Sequence, residues 1–208
     1  MGRHGGDGDQ WFIAVMCVLL LAVSAAGLVH SVRGAVAGWI YHSAEFASVL
    51  PAPDTRLDLC QRGYKWYPWN YYFSIRAAEL AFRQYEASPT NEAAAVWLAK
   101  AKLWCERGLV QNRYKSQLIR LQTRLLWPES PAAAIACWEA YTDWNYWNAY
   151  NHATLADYYA KAGAFDKAER QLDLIKAFPD YTDAAKAVAA ERQTWDRLLH
   201  GDVEGWGE

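Results

Sequence analysis

Hydrophobic positions along the chain fall into two regimes: one unbroken apolar block near the N-terminus, then a series of helical-period stripes separated by proline, glycine and asparagine. From Trp11 to Val29 no charged residue occurs, and Phe12 to Val23 is almost wholly aliphatic. About 20 helical residues rising ~1.5 Å each cross the ~30 Å hydrocarbon layer of a bilayer. Residues 11–31 therefore read as a transmembrane helix. Arg33 marks its far edge, because a charge at the bilayer centre costs roughly 2.5 to 3.5 kcal/mol. The alternative is a cleaved signal peptide, for which Val23, Ser24 and Ala25 offer a small-residue cleavage site. An n-region with Arg3 against Asp7 and Asp9, and an apolar run that continues through Leu28 and Val29, favour an uncleaved anchor. Residues 1–10, polar and glycine-rich, read as a disordered tail. Arg3 and Arg33 balance across the span, so positive charge sets no orientation.

Beyond the anchor the stripes predict helices only. Arg33 to Phe46 continues helically with Val36, Trp39, Ile40 and Phe46 to one side, stopped by Pro51 and Pro53. Asp54 is placed as N-cap of a helix over Thr55 to Trp66, which Pro68 ends. Asn70 to Ala87 carries Phe73, Ala77, Leu80 and Ala81 on one face. Asn91 to Arg107 is expected to close at Gly108. Tyr114, Leu118, Leu121 and Leu125 give the next stripe, ended by Pro128. Ser130 and Pro131 read as N-cap and first residue of a helix reaching Tyr141. The last helix is expected over Thr182 to His200, followed by an acidic mobile tail at 201–208.

The stretch from Tyr146 to Asp180 says most. Leu155, Ala156 and Tyr159 make one apolar face, Gly163 is a C-cap candidate, and Ala168, Leu172 and Ile175 make a second face before Pro179. This pattern resembles a tetratricopeptide repeat, whose 34-residue helix-turn-helix unit has a small residue and a tyrosine on its first helix, alanines on its second and a closing proline. His152 and Leu172 stand where tryptophan and phenylalanine are common in that family. Looser internal matches support further units: Cys60-Gln-Arg-Gly63 with Cys105-Glu-Arg-Gly108, and Trp69-Asn-Tyr-Tyr72 with Trp144-Asn-Tyr-Trp147. The resemblance implies an all-α fold in which residues 32–200 form a solenoid of such hairpins, binding another chain or a ligand on a concave surface without catalysis.

Composition narrows the partners. A net charge of −2 gives no dense basic surface for phosphate backbones, so no nucleic acid is expected. The 12 tryptophans and 13 tyrosines read chiefly as core and inter-helix filler. Cys60, Cys105 and Cys137 lack metal-site or redox spacing and read as buried small residues. The five histidines show no ligand pattern, and Glu79, Glu86 and Glu106 read as solvated charges. No nucleophile, paired-carboxylate or phosphate-loop arrangement stands out, so no catalytic residue, metal or cofactor is assigned.

Two binding surfaces remain. Arg113, Gln117, Arg120 and Arg124 line one side of a helix whose other side is leucine-rich; guanidiniums so arranged receive carboxylates or phosphates, and the competing reading, a solvated face, is the one an exposed helix side favours. Trp144, Tyr146, Trp147 and Tyr150, interleaved with Asn145, Asn148 and Asn151, suit an extended peptide or a sugar, while the same asparagines serve equally as helix caps. The order of membrane helix, arginine, then hairpins is similar to the C-terminal region of bacterial O-antigen ligase and polymerase family proteins. That likeness implies a bacterial inner-membrane, cell-envelope setting; the activity of those proteins' multi-span catalytic part is not expected of these 208 residues. The expectation is a single-pass, non-enzymatic scaffold with a protein partner, the alternatives being a glycan-binding accessory module or a detached repeat region of an O-antigen ligase or polymerase-like protein.

Overall fold

The structure, a computed structural model, describes residues 6–47 and 49–200. Every element among the described residues is an α-helix: α1 (Gly6–Glu45), α2 (Pro53–Trp66), α3 (Tyr71–Glu86), α4 (Asn91–Gln111), α5 (Ser116–Leu126), α6 (Pro131–Trp144), α7 (Ala149–Lys161), α8 (Phe165–Leu174) and α9 (Asp180–His200). Two compact units meet within α4, residues 1–104 and 105–208. Residues 1–5 of the expected tail, and the tail at 201–208, lie outside the described residues.

The first unit is built on α1. The apolar run and the helix after it are one continuous rod of 40 residues, about 60 Å at ~1.5 Å per residue, and helix already begins at Gly6 inside the stretch read as disordered. From Gln10 onward α1 is long and apolar enough to cross a membrane, and its apolar window is not covered by the rest of the chain. Past Arg33 its character changes. Ala37, Ile40 and Ala44 are buried, so small residues let α2 pack close, whereas Trp39 and Phe46, expected on the packed side, are exposed. Pro53 takes the first position of α2 and Ala52 precedes it without a side-chain cap, so Asp54 sits in the first turn instead of at the N-cap. Asn70, read as the first residue of this helix, is the N-cap of α3, its Oδ1 accepting the Tyr72 N–H.

A buried ion network closes α1 onto the other two helices. The Glu45 carboxylate, with its side chain 6% exposed, receives Arg56 Nη2 at 3.0 Å and Arg76 Nε at 3.2 Å. Arg76 also reaches Glu79 at 2.8 Å, so Glu79 is a paired, part-buried charge and not a solvated one. Arg56 Nε additionally donates to the Ala44 carbonyl, one of the orphan acceptors at the end of α1.

In the second unit Trp138 is wholly buried among Ile119, Leu155, Ala156, Tyr159, Ala168, Leu172, Ile175 and Val188. Ser130 caps α6 by accepting the Ala133 N–H, with Pro131 behind it. Gly163 has φ +74°, its N–H donating to the Ala160 carbonyl and the next N–H, of Ala164, to the Tyr159 carbonyl. These two hydrogen bonds make the Schellman closure that glycine permits. Helix α7 packs against both α8 and α9.

Several boundaries differ from the sequence reading. Helix α4 passes through Gly108, which is buried, and ends at Gln111; the Asn112 N–H bonds back to the Gly108 carbonyl. Helix α6 reaches Trp144. Helix α8 stops at Leu174, and Pro179 stands directly before α9, where a missing donor costs nothing. The Trp-Asn-Tyr matches are not equivalent: Asn70 is an N-cap, Asn145 the C-cap of α6. A different motif repeats instead. Asn70, Asn112 and Asn148 each accept, through Oδ1, the N–H of a tyrosine two residues on, Tyr72, Tyr114 and Tyr150.

Candidate functional site

Parts of the arginine stripe and of the aromatic cluster, separate in sequence, meet on the second unit: Arg113 with Tyr114 and Trp144, and Arg120 with Tyr150. Leu118, Leu121 and Leu125 bury the inner side of α5, which leaves Arg113, Gln117, Arg120 and Arg124 exposed. Tyr114, just before α5, lies flat on Trp144 at the end of α6, with ring centroids 4.3 Å apart and 10° between planes. Arg113 sits over the Tyr114 ring at 4.9 Å, and Arg120 over Tyr150, in the first turn of α7, at 5.7 Å. Tyr146 and Trp147 meet edge to face at 5.2 Å and are 67% and 65% exposed. Arg124 acts elsewhere: burial pushes the Tyr158 phenol up, Asp157 adds to this and Arg124 opposes it.

The asparagines of this segment are structural. Asn148 caps α7, Asn145 ends α6, and Asn151 is buried, its Nδ2 donating to the Asn145 carbonyl while its own carbonyl accepts Trp138 Nε1–H at 3.0 Å. These bonds fix the link between α6 and α7, and with it the placement of the rings above. The aromatic residues divide between core and surface: among the described residues Trp104, Trp138, Tyr141 and Tyr159 are buried, whereas Trp144, Tyr146, Trp147 and Tyr150 are exposed.

Beside this face, α6, α7 and α8 enclose a cleft of about 340 Å³ with Glu139, Asp143, His152, Tyr159 and Gln171 in its wall. His152 bridges α7 to its neighbours, Nε2 lying 2.5 Å from the Tyr146 carbonyl and Nδ1 2.7 Å from the Gln171 side-chain amide. The Tyr159 hydroxyl donates to Glu139, and burial, reinforced by that carboxylate, holds the phenol above its usual range. The sequence offered a signal for this acidic wall only in the i,i+4 spacing of Glu139 and Asp143.

The two buried thiols are poor nucleophiles. Burial pushes the thiols of Cys60 and Cys105 up to about 12, so neither is a thiolate near neutral pH. No cluster of three or more His, Cys, Asp or Glu side chains able to hold a metal occurs among the described residues. What the site offers is stacking surface and guanidinium donors, the chemistry of recognition. No protein-family model, curated protein or solved structure matches the chain.

Proposed function

We propose that this protein is a membrane-anchored, non-catalytic scaffold whose helical hairpins recognise a protein partner through the face carrying Arg113, Tyr114, Arg120, Trp144, Trp147 and Tyr150. The stacking of Tyr114 on Trp144, with a guanidinium over Tyr114 and another over Tyr150, carries this reading. It brings positive charge and exposed rings to one surface, the residue types most enriched at binding hot spots. A partner segment with carboxylates among apolar or aromatic side chains fits that face: carboxylates take the guanidinium forks, and flat groups take the rings.

The hairpin of α7 and α8, closed at Gly163 and flanked by α9, supports placing the second unit with tetratricopeptide-like solenoids. The uncovered, uncharged surface of α1 supports a single-pass anchor. Its similarity in layout to O-antigen ligase and polymerase proteins supports a bacterial envelope complex as the setting.

The test is co-purification from detergent-solubilised membranes. Wild type retains one defined protein, less of it as salt rises, while the Arg113→Gln/Arg120→Gln and Trp147→Ala variants lose it with their helicity intact. A partner retained equally by all three contradicts the assignment of this face. Tryptophan fluorescence that titrates with an oligosaccharide, in the absence of any protein partner, would move the face to the glycan-binding reading.

A further inference from the structure

The charged edge of the apolar run is not a bare helix. Arg33 Nε donates to the Trp66 carbonyl at 2.8 Å, and three residues earlier His30 Nε2 lies 2.7 Å from the Tyr67 hydroxyl, with the two rings edge to face at 5.0 Å. These contacts hold the C-terminal end of α2 against α1 at the level where the uncharged run ends. Between the two helices lies a cleft of about 610 Å³ lined by Leu28, Val29, Val32, Arg33, Lys65 and Trp66.

Its two halves differ in chemistry. Leu28, Val29 and Val32 are 67%, 57% and 50% exposed and continue the apolar surface of the span without a break. Arg33 and Lys65 stand at the other end, and neither makes an ion pair with a described residue. Trp66, 46% exposed, stands in its wall as interfacial aromatic residues do.

We propose that this cleft binds an anionic phospholipid of the surrounding bilayer. The phosphate meets the Arg33 guanidinium and Lys65 ammonium, and an acyl chain lies along Leu28, Val29 and Val32 beside the Trp66 ring. Arginine presents a fork to phosphate oxygens and lysine a point charge. Two cations without a neutralising carboxylate favour a headgroup of net negative charge, since a zwitterionic one brings its own cation. The apolar wall selects a lipid over a soluble anion. This inference rests on α1 spanning the membrane.

The full chain is first floated with phosphatidylcholine vesicles, which tests the span alone. Native mass spectrometry of the detergent-solubilised chain, titrated with phosphatidylglycerol or phosphatidylcholine of matched acyl chains, then tests the cleft. The expected result is retention of one phosphatidylglycerol with about a tenfold preference, lost in Lys65→Glu and restored in Lys65→Arg. Lys65 is exposed and outside the Arg33–Trp66 seam, so its variants fold; unchanged circular dichroism checks this. Equal retention of both lipids, or no effect of Lys65→Glu, overturns the cleft while leaving the span intact. Displacement of the lipid by millimolar glycerol phosphate overturns the role of the apolar wall. A chain that does not float removes the span and the cleft together.

Discussion

The Phe73 ring of α3 lies directly on the backbone of α2 at Gly63. A methyl group there would come within 2.8 Å of three ring atoms, and Phe73 itself is wholly buried. Gly63 therefore sets how closely the two helices approach.

Gly63→Ala should destabilise the first unit. Overpacking costs about 1 to 3 kcal/mol, against roughly 1 kcal/mol gained from alanine's better helix propensity. Thermal unfolding of the full chain in detergent, followed by circular dichroism, should show a lower midpoint. A higher midpoint would mean that Phe73 moves aside at little cost.

Glu45 is the hinge of the ion network, so Glu45→Gln should leave two guanidiniums without their shared carboxylate and cost about 3 kcal/mol. Arg76→Gln should cost less, because the Arg76 side chain is 35% exposed and also held by Glu79. A double-mutant cycle on Glu45 and Arg56 measures their coupling. Coupling near zero would show that the network is dispensable.

Stability should fall in alkali. The thiols of Cys60 and Cys105 are raised from 9.0 to about 12 on folding, chiefly by burial and, for Cys60, secondarily by Glu45. Between those values the unfolded chain has released protons that the folded chain still holds. Their contribution is thus complete below pH 9 and declines toward pH 12, by up to about 1.4 kcal/mol per pH unit for each thiol. Cys60→Ala and Cys105→Ala should each flatten the decline in midpoint with pH, and both native thiols should resist maleimide at pH 7. Rapid labelling of either would contradict its burial.

What the sequence disclosed follows from the range of each interaction. The apolar run, the Ser130–Pro131 cap, the Gly163 turn and the buried set Leu155, Ala156, Tyr159, Ala168 and Leu172 are set by neighbours within a turn or two, and a linear reading finds them. The Glu45 network joins residues on three helices, and Tyr114 on Trp144 needs the whole of α5 and α6 between them. Neither leaves a spacing signature. Proline misled at Pro179 because it marks a boundary without saying on which side the helix lies. Tryptophan content alone did not separate buried Trp104 and Trp138 from exposed Trp144 and Trp147, because a ring's size does not reveal whether a helix turns it inward or outward.

The recognition face is tested most directly by a photoreactive phenylalanine analogue placed at Trp147, at Arg113 and, as a control, at Lys186 on α9, whose side chain is 76% exposed. The full chain is irradiated in intact membranes of the cells that make it. The account predicts one discrete crosslinked protein from Trp147 and Arg113, absent at Lys186 and abolished by Arg120→Gln. Crosslinks of equal yield at all three positions, or none at Trp147 and Arg113, would contradict it.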